Sequence, residues 1–132
     1  MHEHVFGQTF KYDGGTTRSI TETVTVDAQE TVKRNIPAGA TTQFNITVDV
    51  SEMKTLNMGI TKGNCTVKTN SSGSPVQTLT IKSPNPVMWS KNDIAANPLT
   101  TDLTALFVTN NGDEDAEFFF VAGVDSTPSA EG

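Results

Sequence analysis

Apolar side chains recur at every second position over most of this chain and almost nowhere at helical spacing. The clearest case is Thr42–Val50, where Phe44, Ile46, Val48 and Val50 fall on one side and Asn45, Thr47 and Asp49 on the other. Successive side chains of a strand point to opposite faces, so this pattern predicts a half-buried β-strand. The same period runs through Leu56, Met58 and Ile60, through Cys65, Val67 and Thr69, and through Leu79 and Ile81. Thr17–Val26 alternates as well, with Ile20, Glu22, Val24 and Val26 opposite Thr21, Thr23 and Thr25. Glu22 interrupts the apolar side of that strand. Ala28–Ile36 is anchored by Val32 and Ile36, His4–Tyr12 puts Phe10 and Tyr12 on one face, and Val87-Met88-Trp89 is a short apolar segment. Helix evidence is confined to Val50–Thr55, where Ser51 is positioned to cap a single turn.

The most hydrophobic stretch closes the pattern. Thr104–Asn110 and Ala116–Val124 read as strands joined by Asn110-Asn111-Gly112-Asp113, and an Asn-Gly step between such runs predicts a β-hairpin. Phe118 and Phe120 cannot share a face with Phe119. Either this strand is central, with both faces covered, or one Phe face is offered to a partner. Pro37-Ala38-Gly39 marks a turn in which proline sets φ and glycine relieves it. With some nine or ten short strands, no βαβ unit and no fixed repeat, the expected fold is an all-β, antiparallel β-sandwich, Ig-like or jelly-roll-like. The expected division is an N-terminal arm and first strand over 1–15, the sandwich over 16–124, and a mobile tail over 125–132.

Composition narrows the function classes. The 132 residues suffice for one domain with a sizeable core. A net charge of −6 with scattered basic residues, none clustered beyond Lys33-Arg34, argues against nucleic acid or an anionic membrane as partner. No apolar run approaches a membrane span, and the polar start Met1-His2-Glu3-His4 lacks a signal-peptide core, so synthesis in a cytoplasm is expected. Threonine supplies about a sixth of the residues, which favours strands while keeping hydroxyls for solvent.

Candidate chemistry is sparse. His2-Glu3-His4 puts two imidazoles on one strand face, but obvious third and fourth ligands are lacking. Asp113-Glu114-Asp115 with Glu117 reads as a solvated turn rather than a calcium loop. Cys65 stands alone within a strand pattern and reads as a small buried hydrophobe. No nucleophile elbow, phosphate loop or dinucleotide glycine pattern occurs, so no catalytic, cofactor or metal residue is assigned and no enzyme is expected. The residues best suited to touch a partner are the aromatics Phe6, Phe10, Tyr12, Trp89, Phe118, Phe119 and Phe120.

Four segments, VKTNSSGSPVQTLTI, VMWS, NPLTTDLTALFVTNNG and the final apolar strand, resemble small β-rich structural proteins of tailed-bacteriophage virions. AGATTQFNITVDVSEMKT is similar to the strand and turn that precede them, and together these cover about two-thirds of the chain. The resemblance implies a capsid decoration (cement) protein, binding the outer lattice of the major capsid protein as a homo-oligomer. A tail or head–tail connector component is the alternative, with Thr17–Val26 as an edge for strand addition. A carbohydrate- or surface-binding module, using Trp89 and Tyr12 as platforms, is the second alternative.

Overall fold

The computed structural model describes residues 2–10 and 18–125, with side chains throughout except at 8–10 and 18–20. Ten strands follow one another: β1 (His2–Phe10), β2 (Arg18–Val26), β3 (Ala28–Ile36), β4 (Thr41–Val48), β5 (Met53–Ile60), β6 (Asn64–Thr69), β7 (Thr78–Lys82), β8 (Val87–Ser90), β9 (Leu103–Asn110) and β10 (Ala116–Val124). They form a front sheet in the order β3-β10-β5-β8, a back sheet in the order β4-β9-β6-β7, and a separate two-stranded sheet, β1-β2. All pairings are antiparallel. The fold is the expected antiparallel sandwich.

Alternation explains its core. Ile36, Leu56, Met58, Ile60, Phe118 and Phe120 point inward from the front sheet and meet Phe44, Ile46, Val48, Val67, Leu106 and Val108 from the back. Phe44 and Phe118 stack across the gap with centroids 5.6 Å apart at 24°, a geometry that adds to the burial of both rings. The Arg34 guanidinium lies 5.6 Å from the centroid of Phe44 at the β3–β4 opening of the sandwich. Cys65 is buried as expected, and burial pushes its thiol up to about 11.

Three local expectations change. Thr104–Asn110 and Ala116–Val124 do not form a hairpin: β9 lies in the back sheet and β10 in the front, so their connection crosses the sandwich. The cause is Asn110, whose side chain is fully buried. Its Nδ2 donates to the carbonyls of Ile36 and Glu114, both at 2.9 Å, and its Oδ1 accepts from Gly112 N–H at 2.9 Å. The asparagine thus fastens a corner rather than a two-residue turn, and positive φ is found at Gly39, Gly63 and Asn70 instead. Gly39 (φ 77°) completes the Pro37 turn as expected, with Ala40 N–H donating to Pro37 O at 3.0 Å.

At the second place, β4 stops at Val48, and Val50 leaves its face to begin a short 3-10 turn, Val50–Glu52. The cap is Asp49, not Ser51: its carboxylate accepts from Ser51 N–H at 3.0 Å and Ser51 Oγ at 2.6 Å. These bonds lower the Asp49 pKa. Finally, β2 belongs with β1 and not with the sandwich. The arm therefore runs to Val26, beyond the expected boundary at residue 15. The tail 126–132 lies outside the described residues.

Candidate assembly surface

The outer face of the front sheet is organised in cross-strand rows. Gln29, Gly123, Thr55 and Ser90 are partners across β3, β10, β5 and β8. The next row is Thr31, Val121, Asn57 and Met88, and the one after it contains Lys33, Phe119 and Gly59. Each row sets its residues side by side on the same surface, because opposed residues of a ladder share a face.

The β1-β2 hairpin crosses the sheet along the first row. The two ring nitrogens of His4 lie 2.5 Å from Thr55 Oγ1 and 2.8 Å from Gln29 Oε1. Thr55 Oγ1 also accepts from Gly123 N–H at 3.0 Å. One proton arrangement satisfies all of these groups: the Thr55 hydroxyl donates to His4 Nδ1, and His4 Nε2–H donates to Gln29. The bare Cα of Gly123 makes the seat possible, since a Cβ there would stand 2.8 Å from His4 Cε1. Further along the hairpin, Glu22 accepts from Ser90 Oγ at 2.7 Å and from Asn92 Nδ2 at 2.6 Å. Those two bonds, to Ser90 first, hold its carboxyl below the ordinary value.

His4 thus sits over the middle of the sheet and Glu22 over its β8 edge. Val24 and Val26, on the same hairpin face, are each 2 % exposed although neither belongs to the main core cluster. They form a second, thinner apolar layer between arm and sheet. Beyond the Phe6–Glu22 pair, four more register pairs, Gly7–Thr21 to Phe10–Arg18, continue the ribbon. At a strand's rise this adds roughly 13 Å.

Beside the arm a groove of about 350 Å³ opens over the second row, between Val5, Phe6 and Gly7 of β1 and Asn57, Met88 and Val121 of the sheet. The Asn57 Oδ1 atom is buried there with no hydrogen-bond partner. Phe119 covers Gly59 in the third row; a Cβ at Gly59 would lie 2.6 Å from its Cζ and 3.1 Å from Pro86 Cβ.

The aromatics expected to meet a partner are therefore divided. Phe118 and Phe120 are fully buried core residues and are corrected to that role. Phe6 and Phe119 are half-buried; Phe6 lines the groove, and Phe119 lies in the third row over Gly59. Trp89 packs against the core from β8, and its indole N–H donates to Ala95 O at 3.0 Å. Tyr12 and the Phe10 side chain lie outside the described residues. Sequence reasoning missed His4, Gly123 and Asn57 as a group, since register between distant strands brings them together. Glu22 had left a signal: a carboxylate breaking an apolar strand face marks a face that meets polar partners.

The other chemical candidates are engaged locally. Both nitrogens of His4 are taken up by the seat. At the acidic corner, Asp115 accepts from Ala38 N–H at 3.1 Å and Glu114 lies 3.4 Å from Lys62 Nζ.

No protein-family model and no curated protein matches the chain. Among solved structures, it is similar to the Schizosaccharomyces pombe Cnp3 cupin domain, with TM-score 0.39 and 12% identity over 94% of this chain and 85% of that one. It is also similar to a protein of the Bacillus endospore appendages described as disulfide-linked pili, with TM-score 0.36 and 18% identity over 75% of this chain and 88% of that one. Likenesses this loose carry no inference to the present chain.

Proposed function

We propose that this protein is a non-enzymatic structural protein that works by non-covalent contacts within a bacteriophage particle, as a decoration protein on the outer capsid lattice. The observation that carries the contact-making role is the arm: a hairpin outside both sheets of the sandwich, seated by side chains, with an apolar groove beside it. A surface with half-buried apolar residues beside an open groove suits a protein partner, which brings complementary apolar area. The acidic, threonine-rich exterior suits solubility before assembly. The capsid assignment rests on the sequence resemblance.

A tail or connector role is the second reading, favoured by the long unpaired edges of β3 and β4. A sugar-binding role is less well supported, because Trp89 faces the core and its N–H is committed to Ala95.

Cryo-electron microscopy of particles from the source separates these readings. Density at regular positions over the shell is expected, together with lower heat resistance in particles lacking the protein. Density confined to the tail or its junction would replace the decoration reading with the second, and absence from particles would end both.

A further inference from the structure

We propose that the β1-β2 hairpin is an exchangeable arm, which seats on the front sheet of a second copy of this chain while that copy's arm returns the contact. This deepens the contact-making role proposed above and rests on it, taking up the homo-oligomer that the sequence resemblance implies.

Among the described residues, the arm shares no backbone ladder with the sandwich. β1 pairs with β2, and neither strand appears in the front or back sheet. Among the described residues, the side-chain contacts that hold it include His4 with Thr55 and Gln29, Glu22 with Ser90 and Asn92, and the buried Val24 and Val26. Removing the arm breaks no sheet. It does uncover Val24, Val26 and the row of Gly123 and Thr55, so a free arm and an empty seat both need covering.

The connection to the sandwich is a single residue. β2 ends at Val26 and β3 begins at Ala28, leaving only Asp27 to make the bend. One residue cannot form a slack loop. Opening that bend merges Arg18–Val26 and Ala28–Ile36 into one extended run and carries the hairpin away from its own sheet. Short connections of this kind favour exchange between chains over closure within one.

The identical arm of a second copy fits the vacated seat with the same partners. His4 of the second copy would meet Thr55 and Gln29 of the first, and the reverse contact follows from two-fold symmetry. Closed and exchanged forms therefore contain the same contacts, and protein concentration and the hinge set the balance between them.

The test is an engineered disulfide in place of the His4–Thr55 hydrogen bond, using His4→Cys/Thr55→Cys. Cys65 is buried with a raised pKa and so competes poorly for oxidation. The variant is oxidised over a range of concentrations and resolved by non-reducing electrophoresis and peptide mass spectrometry. Light scattering on the unaltered chain runs beside it. Disulfides joining residues 4 and 55 of different chains are expected, increasing with concentration. In the unaltered background, three glycines inserted after Asp27 relieve the short hinge, keep the seat contacts and should lower the dimer fraction several-fold. Bonds confined within single chains, in a protein that light scattering shows to be oligomeric, would overturn arm exchange and leave self-association standing. A monomer at all concentrations would overturn both. An oligomer unaffected by the glycine insertion, or failure of the disulfide to form in either way, would also overturn the exchange.

Discussion

Phe118 is fully buried and stacked on Phe44, while Phe119 lies on the opposite face over Gly59. Removing the ring of Phe118 leaves a cavity in the middle of the sandwich, which two close-packed sheets cannot readily fill. Phe118→Ala should therefore cost about 3–5 kcal/mol. Phe119→Ala deletes a partly solvated ring from the outer surface and should cost about 1 kcal/mol. Urea denaturation followed by Trp89 fluorescence measures both, since Trp89 packs against the core. Equal losses would contradict the assignment of faces.

At the scale of the elements, the arm's attachment should depend on pH through Glu22. Its carboxylate is held below the ordinary glutamate range by hydrogen bonds from Ser90 and Asn92. A depressed carboxyl contributes stability that is present above the unfolded value and lost as pH falls through the folded one. The arm should thus loosen in acid. In the unaltered chain, the Val24 and Val26 methyl resonances should move as pH falls below the ordinary glutamate range. In Glu22→Gln that movement should vanish, and the arm should be looser at neutral pH. A transition that persists unchanged in Glu22→Gln would assign it elsewhere, with Asp49 as the first candidate because its pKa is lowered too.

The same elements show what the chain discloses locally. The residue pattern located β3 and β10 at their observed limits, because a strand's in–out pattern is written in its own residues. The Asn-Gly step was misleading, since Asn110 uses its side chain to tie Ile36 and Glu114 together across 74 and four residues. No short window contains that contact. The Phe118–Phe120 alternation was legible, but which face would be core depended on β3 and β5 flanking β10. The arm's seat was hidden for the same reason: Gln29, Gly123, Thr55 and Ser90 become neighbours only through registers set between distant strands.

For the molecule as a whole, this architecture separates two cooperative units. In the sandwich, β10 is hydrogen-bonded to β3 and β5 and β9 to β4 and β6, so breaking either central strand dissolves a sheet. Among the described residues, the hairpin depends on that body for a seat but on nothing in it for backbone pairing. Native-state hydrogen exchange should therefore sort the amides into two groups. Those of β5, β9 and β10 should exchange only with global unfolding. Those of β1 and β2 should exchange through a smaller opening, lower by about 2 kcal/mol or more and with a weaker dependence on denaturant. A two-stranded ribbon released from its seat has little stability of its own, so opening and melting of the arm should coincide. If β1 and β2 instead share the denaturant dependence of β10, the hairpin unfolds only with the sandwich. An arm that cannot leave while the body stays folded could exchange only through complete unfolding.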